Sequence, residues 1–273
     1  MMLWMNGALL PADQARIDPR DRGFTLGDGL FETLVALDGH PIDLPQHLER
    51  LAHGAMVLEL PLPVEATEIA TAIGQVLEAN GFSSGRAALR VTVSRGVGSR
   101  GLLMPLDPRP NIVITAGAFP PVPTHLDAAT VPIRRNEGSP LSRIKSLNYL
   151  DNVLAQQQAQ AAGAHEALML NNRDRVAGFA RGNLFALIGE KWVTPPLVDG
   201  VLDGITRARI LKNGKKAGLD VSESTLERAD LDTVSALFIS NSLLGCVPIA
   251  RLDGAEMRLD PQIIDQIGAL LID

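Results

Sequence analysis

The chain has 273 residues, 46% hydrophobic and 21% charged, which is typical of a folded protein with apolar material for one large core or two medium ones. The formal net charge is -6 and the basic residues are scattered, so nothing indicates nucleic-acid binding. No apolar run approaches a membrane span, the first residues lack a secretory signal, and the single Cys246 excludes an internal disulfide. We expect a cytoplasmic protein that acts on a small molecule, with no nucleic-acid, membrane or metal partner.

The first part of the chain predicts a small α+β domain over residues 1–118. A hairpin turns at Asn6-Gly7, and Asp43 is placed to cap an amphipathic helix with Pro45 in its first turn. The predicted helices and later strands cover about 44–60, 65–80, 87–93 and 111–115. The proline cluster within residues 119–124 is the predicted linker.

The second part, residues 125–273, predicts a larger α/β domain. Its predicted helices cover about 148–162 and 204–217, and its predicted strands cover about 128–134, 166–170, 183–188, 234–240 and 247–252. The segments between these elements contain the residues that could take part in binding or catalysis.

Lys145 stands between Ile144 and Leu147, just before the predicted helix at 148–162. Desolvation by apolar neighbours would leave its amine neutral and nucleophilic. Taken alone, an ordinary loop lysine is the commoner explanation.

Two further features suit a phosphate. The glycine-bracketed turn Gly200–Gly204 leads into a predicted helix, whose start offers free N–H groups and the positive dipole end, with the Thr206 hydroxyl nearby. Arg50 could form two parallel bonds to a phosphate. A plain helix cap and a surface charge are the commoner explanations of these features taken singly.

Taken together, the blocks resemble the class IV (fold type IV) pyridoxal-phosphate (PLP) enzymes, which include branched-chain and D-amino-acid aminotransferases and aminodeoxychorismate lyases. The resemblance runs over essentially the whole chain, through six ordered groups of residues. They are Asp21-Arg22-Gly23 with Leu26-Gly27-Asp28-Gly29-Leu30-Phe31-Glu32-Thr33; His47-Leu48-Glu49-Arg50-Leu51; Lys145-Ser146-Leu147-Asn148-Tyr149-Leu150; Asn183-Leu184-Phe185 with Thr194-Pro195-Pro196-Leu197; Gly204-Ile205-Thr206-Arg207; and Ser240-Asn241-Ser242-Leu243-Leu244-Gly245.

The resemblance implies a two-domain fold, α+β followed by α/β, and a role for each matched residue. Lys145 would carry PLP as a Schiff base and move protons. The phosphate would bind Arg50, Ile205, Thr206 and Ser242, while Tyr149 would approach the phenolic oxygen of PLP. Arg100 would clamp a substrate carboxylate. The family also implies a homodimer with active sites near the subunit interface.

The pattern breaks at Gly178, where relatives usually carry a glutamate that keeps the PLP pyridine nitrogen protonated. Asp174 is the nearest carboxylate in sequence, and Arg181 would oppose protonation if it pointed towards the nitrogen. Three interpretations stay open: another acid or a water replaces the glutamate; the chemistry needs less electron withdrawal; or the protein binds PLP with little or no catalysis.

Two blocks, Leu26–Thr33 and Ser240–Pro248, look more like aminodeoxychorismate lyases than branched-chain enzymes. Phe31 lies where D-amino-acid aminotransferases tend to have a tyrosine, so a carboxylate trap built on that hydroxyl is absent. The resemblance therefore favours a lyase that converts 4-amino-4-deoxychorismate to 4-aminobenzoate, a folate precursor, and pyruvate. D-amino-acid transamination is the main alternative.

Overall fold

The computed structural model describes residues 1–257 and 268–269, and the chain divides into two compact units. The first comprises Met1–Pro120 and Ile144–Asn148, and the second comprises Pro121–Arg143 and the described residues from Tyr149 onwards. The chain first passes between the units at Pro120–Pro121, within 119–124, and Ile144–Asn148 belongs to the first unit although the sequence placed these residues in the predicted second domain. The end of the predicted second domain lies outside the described residues. None of the described helices is long and apolar enough to cross a membrane.

The first unit is built on an antiparallel sheet of six strands in the order β2-β1-β6-β5-β3-β4. Its strands are β1 (Met2–Met5), β2 (Ala8–Pro11), β3 (Gly29–Leu37), β4 (His40–Pro41), β5 (Arg86–Ser94) and β6 (Asn111–Ala118). Asn6 and Gly7 both have positive φ, as a tight two-residue hairpin turn requires. The predicted hairpin is confirmed.

Three helices accompany this sheet: α1 (Arg22–Leu26), α2 (Leu44–Val57) and α3 (Ala66–Ala79). α2 buries Leu51 and Ala55, as its apolar periodicity predicted. Asp43 occupies the N-cap position, but its φ is +52° and its side chain makes no capping hydrogen bond. The predicted position of Asp43 as the N-cap of α2 is confirmed, although this residue does not cap the helix through its side chain.

β3 is the longest of the strands that the periodicity did not predict. It pairs with β5 over its full length, from Gly29 opposite Ser94 to Leu37 opposite Arg86. Its residues from Gly29 to Glu32 are all buried, so the alternation that marks a half-exposed strand is missing. The strand carries Phe31 and Glu32 into the candidate site.

The second unit is built on a mixed sheet in the order β12-β11-β10-β13-β14-β7-β8-β9, with β15 paired to β14. Its strands are β7 (Leu126–Arg135), β8 (Glu166–Asn171), β9 (Val176–Phe179), β10 (Asn183–Ile188), β11 (Lys191–Thr194), β12 (Val221–Glu223), β13 (Ala236–Asn241), β14 (Gly245–Leu252) and β15 (Ala255–Glu256). β7 runs parallel to both β8 and β14, and β11 runs parallel to β12.

Two helices pack against this second sheet. α4 (Leu150–Ala161) lies on β7 and β8, and α5 (Ile205–Lys216) lies on β12 and β13. Phe185 and Phe238 stack with ring centroids 4.9 Å apart beneath α5. This packing fixes the start of each helix, where the candidate residues Tyr149, Ile205 and Thr206 lie.

Candidate active site

The Lys145 segment is held beside β3 by an isolated antiparallel β-bridge between Leu30 and Ser146. The Phe31 N–H donates to the Lys145 carbonyl at 2.9 Å, and the Leu147 N–H donates to the Gly29 carbonyl at 2.9 Å. A Cβ on Gly29 would lie 2.3 Å from the Val93 carbonyl oxygen and 2.7 Å from Leu147 Cδ1, so only glycine allows this approach. The backbone of Lys145 is thereby fixed, while its side chain is half-buried.

An aromatic ring and a second cation accompany the Lys145 amine. Its Nζ lies 4.3 Å from the centroid of the Phe31 ring, and the Arg90 guanidinium carbon lies 4.0 Å from the same centroid. Phe31 is buried, whereas Arg90 is exposed on the neighbouring strand β5. The sequence predicted Phe31 but missed Arg90, although pairing of Thr33 with Arg90 puts that arginine near the ring.

Arg50 is oriented by a buried carboxylate on β3. Arg50 Nε and Nη2 donate to the two oxygens of Glu32 at 2.8 and 2.7 Å, and His47 Nδ1 lies 2.6 Å from Glu32 Oε2. Burial opposes ionisation of Glu32, but the hydrogen bonds from Arg50 and His47 lower its pKa below the ordinary value. Glu32 and His47 are thus positioning residues for Arg50 that the sequence did not single out.

Arg100 lies in the loop after β5 and is exposed. It forms no ion pair with any residue that the structure describes. The buried Arg22 holds the loop immediately beyond it, donating to the Gly101 and Leu103 carbonyls at 3.2 Å each. Arg22 is itself anchored by Asp28, 2.8 Å from its Nε. Within the first unit, Phe31 contacts both Lys145 and Arg90, whereas Arg100 lies in the exposed loop after β5.

In the second unit, the start of α5 has the chemistry of an anion site. Gly204 is the N-cap without a side-chain cap, and the intrahelical bonds begin with the Ala208 N–H donating to the Gly204 carbonyl at 2.8 Å. The N–H groups of Ile205 and Thr206 therefore precede the helical hydrogen-bond ladder. A Cβ on Gly204 would overlap Asn183 Oδ1, which keeps this helix start close to β10.

Ser242 lies in the turn between β13 and β14. Asn241 Oδ1 accepts the backbone N–H groups of Leu243 and Leu244 at 3.0 and 2.7 Å, which fixes the shape of this turn. Because α5 packs on β13, and β13 leads into the Ser242 turn, both predicted phosphate-binding segments of the second unit adjoin this strand.

Tyr149 is the N-cap residue of α4 and is half-buried. Its phenol interacts electrostatically with Arg135, the last residue of β7. The sequence did not single out Arg135.

Gly178 differs from a glutamate position in backbone as well as side chain. Its φ is +116°, and β9 bulges here against β8, with Met169 opposite Gly178 and Leu170 opposite Val176. An added Cβ would lie 3.3 Å from the Gly182 carbonyl oxygen. The site therefore lacks a carboxylate at this position, and its backbone is one that glutamate rarely adopts.

The two neighbours considered from the sequence have other partners. Arg181 Nε donates to Glu166 at 2.7 Å, and its Nη2 donates to the His165 carbonyl at 3.1 Å. Burial raises the pKa of Glu166 despite this arginine. Asp174 is largely exposed and pairs with Arg134 at 2.8 Å. Arg181 and Asp174 are thus committed to structural contacts of their own.

The residues present fit the cofactor that the sequence predicts. The first unit offers a half-buried amine and an arginine held by a buried carboxylate, and the second offers an uncapped helix start and a fixed serine turn. The Oγ atoms of Thr194 and Ser240 are also buried without a hydrogen-bond partner among the described residues. Taken unit by unit, these donors are of the kinds that bind a phosphate or a carbonyl group, whereas Gly178 departs from the expected pattern.

The comparisons with known proteins agree with that fit. A model of the class IV aminotransferase family matches residues 29–252. The chain is 34% identical over 261 residues to a putative branched-chain-amino-acid aminotransferase of Methanocaldococcus jannaschii, covering 93% of this chain and 88% of that one. It is 29% identical over 254 residues to the aminodeoxychorismate lyase of Bacillus subtilis, covering 92% and 87% of the two chains.

Among solved structures, the branched-chain aminotransferase of Thermoproteus uzoniensis with norvaline matches with a TM-score of 0.93 and 26% identity, covering 99% of this chain and 93% of that one. The resemblance and the fold predicted from the sequence are confirmed.

Proposed function

Because the chain belongs to the class IV aminotransferase family of PLP-dependent enzymes, we propose that it is a 4-amino-4-deoxychorismate lyase that forms 4-aminobenzoate and pyruvate. The observation that carries this choice is Gly178, where the expected carboxylate is absent and the backbone has a glycine conformation. A carboxylate there would strengthen the electron withdrawal of the cofactor. The preferred reaction is therefore one that depends less on such withdrawal.

The elimination meets that requirement. The substrate loses a proton from the ring carbon that bears the amino group and breaks the C–O bond to its enolpyruvyl group. The products have the same total composition as the substrate, so no oxidant or second substrate is needed. Formation of an aromatic ring contributes to the driving force, whereas transamination has no such contribution.

Each of the matched residues has a proposed role in this reaction. PLP, when bound, acidifies the carbon–hydrogen bond beside the substrate nitrogen. Lys145 is the proposed attachment point of PLP and the base that takes this proton. Arg50, the start of α5 at Ile205 and Thr206, and Ser242 are proposed to bind the phosphate. Tyr149 is proposed to approach the phenolic oxygen of PLP.

The substrate side of the proposal rests on the group around Phe31. The Phe31 ring beside the Lys145 amine offers an apolar surface for the substrate ring, and Arg90 offers a cation for a carboxylate. Arg100 remains the proposed second carboxylate ligand. A homodimer in the cytoplasm, with active sites near the subunit interface, is part of the same proposal.

A second candidate function is transamination of a D-amino acid or a related amino acid. The 34% identity to the putative branched-chain-amino-acid aminotransferase of M. jannaschii favours it, because that similarity exceeds the similarity to the B. subtilis lyase. Catalytic weakness caused by Gly178 is a third outcome, in which PLP binds without appreciable turnover.

The test is a product assay on PLP-loaded protein. With aminodeoxychorismate we expect equal amounts of 4-aminobenzoate and pyruvate, and with D-alanine or L-leucine plus 2-oxoglutarate we expect no keto-acid product above background. Keto-acid formation without 4-aminobenzoate would refute the lyase and support transamination. A visible cofactor band that borohydride reduces, with no product from any substrate, would support the catalytically silent protein.

Substitution of Arg90 tests the substrate side. Losing a charge-assisted contact worth about 1.5–3 kcal/mol should raise KM for aminodeoxychorismate roughly 10- to 100-fold in Arg90→Gln. Arg86→Gln is the matched control, since Arg86 is exposed on the same strand and lies over Phe119 instead. An equal KM in both variants would remove Arg90 from the proposed substrate contacts.

A further inference from the structure

Arg135, at the end of β7, is a buried cation whose hydrogen bonding is incomplete. Its Nε is buried and has no hydrogen-bond partner among the described residues. Burial lowers the pKa of Arg135, against the opposing influence of the nearby Tyr149 and Asp151. A buried, unsatisfied N–H of a charged group is costly, so its retention calls for an acceptor that the described residues do not supply.

The position of Arg135 suggests where that acceptor belongs. Arg135 Nη2 lies 3.9 Å from Met169 Sδ, and Met169 is the residue opposite Gly178 in the β8–β9 pair. Residues directly opposite in a sheet present their side chains on the same face. The atoms nearest to a Cβ added at Gly178 are backbone atoms of Gly182, Leu184 and Asn183. Arg135 thus contacts the side chain of the residue that pairs with Gly178 across the β8–β9 ladder.

We propose that Arg135 faces the pyridine nitrogen of PLP in this protein and donates a hydrogen bond to it, in the place where relatives use a glutamate. An arginine stays protonated and has no acceptor, so the nitrogen must accept and therefore carry no proton. A neighbouring cation also disfavours protonation of the nitrogen, which is the opposite of what a carboxylate does. Arg135 thereby sets the cofactor to withdraw electrons weakly.

This inference rests on the cofactor and not on the choice between lyase and transaminase. Its test uses the complete protein loaded with PLP that carries ¹⁵N in the ring. Free PLP on either side of its own nitrogen titration supplies the chemical shifts of the protonated and unprotonated forms. The bound nitrogen of the wild-type protein should match the unprotonated standard throughout the pH range in which the protein stays folded. A match to the protonated standard would overturn the proposal.

A second readout uses the analogue of PLP in which a C–H group replaces the ring nitrogen. The wild-type protein should bind PLP about tenfold or more tightly than the analogue, since only PLP accepts the hydrogen bond. Arg135→Met should lose this preference. Arg134→Met is the matched control, because Arg134 is the adjacent residue and pairs with Asp174. An equal preference for PLP over the analogue in both variants would count against Arg135. If Arg135→Met fails to fold, the ¹⁵N spectrum of PLP bound to the wild-type protein still tests whether the nitrogen is unprotonated.

Discussion

Replacing Glu32 with glutamine removes the negative charge that holds Arg50 and His47 in the first unit. Glu32 is 1% exposed and accepts two hydrogen bonds from Arg50, at 2.8 and 2.7 Å, besides its contact with His47. A glutamine side chain accepts hydrogen bonds only on its oxygen. Its NH2 group would therefore face an N–H donor of Arg50 or His47. Removing one partner of a buried ion pair costs about 3–5 kcal/mol, and we expect Glu32→Gln to lower the free energy of unfolding by about that amount.

Urea unfolding followed by tryptophan fluorescence measures this effect. Trp4 is buried in the first unit and Trp192 in the second, so a Trp192→Phe background reports on the unit that contains Glu32. With slopes of about 2–3 kcal/mol per molar urea, the midpoint should fall by about 1–2 M. Glu49→Gln is the control, because Glu49 is exposed on α2, the helix that carries His47 and Arg50, and its effect should stay within about 0.5 kcal/mol.

The same variant has a defined pH dependence. The pKa of Glu32 is lower in the folded protein than its ordinary value of 4.5, so its contribution to stability is complete well above pH 4.5. The contribution is lost as the pH falls below 4.5 through the folded pKa. The stability gap between the wild type and Glu32→Gln should therefore narrow on acidification. A gap that is equal to that of Glu49→Gln, or constant through this window, would refute the reasoning.

Lys145→Ala should abolish the borohydride-reducible cofactor band and lower turnover by about a thousandfold or more, as absorbance spectra and product assays would report; a retained reducible band would move the attachment point to another lysine. Gly178→Glu should lower the free energy of unfolding by about 1–3 kcal/mol because of the +116° φ and the nearby Gly182 carbonyl, whereas Gly74→Ala, in the middle of α3 with open space around it, should raise it by about 0.5–1 kcal/mol. Denaturation curves measure the change in the free energy of unfolding for both variants. A Gly178→Glu variant that is as stable as the wild type and turns over faster would indicate that this position has merely lost the usual glutamate. Desolvation of the partly buried Cys246 raises the pKa of its thiol to about 12, so the native thiol should resist a thiolate-specific reagent near neutral pH and react after unfolding. Rapid labelling of the native protein would contradict this raised pKa.

The ordered sequence motifs determined the family, the fold and the cofactor, since each records a local requirement. Asn6-Gly7 specifies a tight turn, and the apolar spacing of α2 and α3 specifies helices with one buried face. Gly204 before Ile205 and Thr206 marks a helix start suited to an anion. Such features are encoded by neighbouring residues, so they can be read without knowledge of the fold.

The sequence also located Lys145 and Phe31 but not the side chains that surround them. Arg90 and Glu32 lie on paired strands, and β3 was not predicted because burial of consecutive residues removed its alternating pattern. The N-cap position of Asp43 was predicted from residue type and is confirmed, whereas residue type did not predict its left-handed φ.

Only the tertiary structure shows the backbone conformation of Gly178 and the contacts of the charged residues near it. The sequence recorded only a missing glutamate and left Arg181 and Asp174 as possible neighbours of the pyridine nitrogen. The fold commits Arg181 to Glu166 and Asp174 to Arg134, gives Gly178 a bulged backbone, and brings Arg135 to Met169 opposite it. Strand register sets these contacts between residues far apart in the chain. Local sequence patterns therefore identify individual residues of the candidate site, while strand pairing determines which side chains contact them.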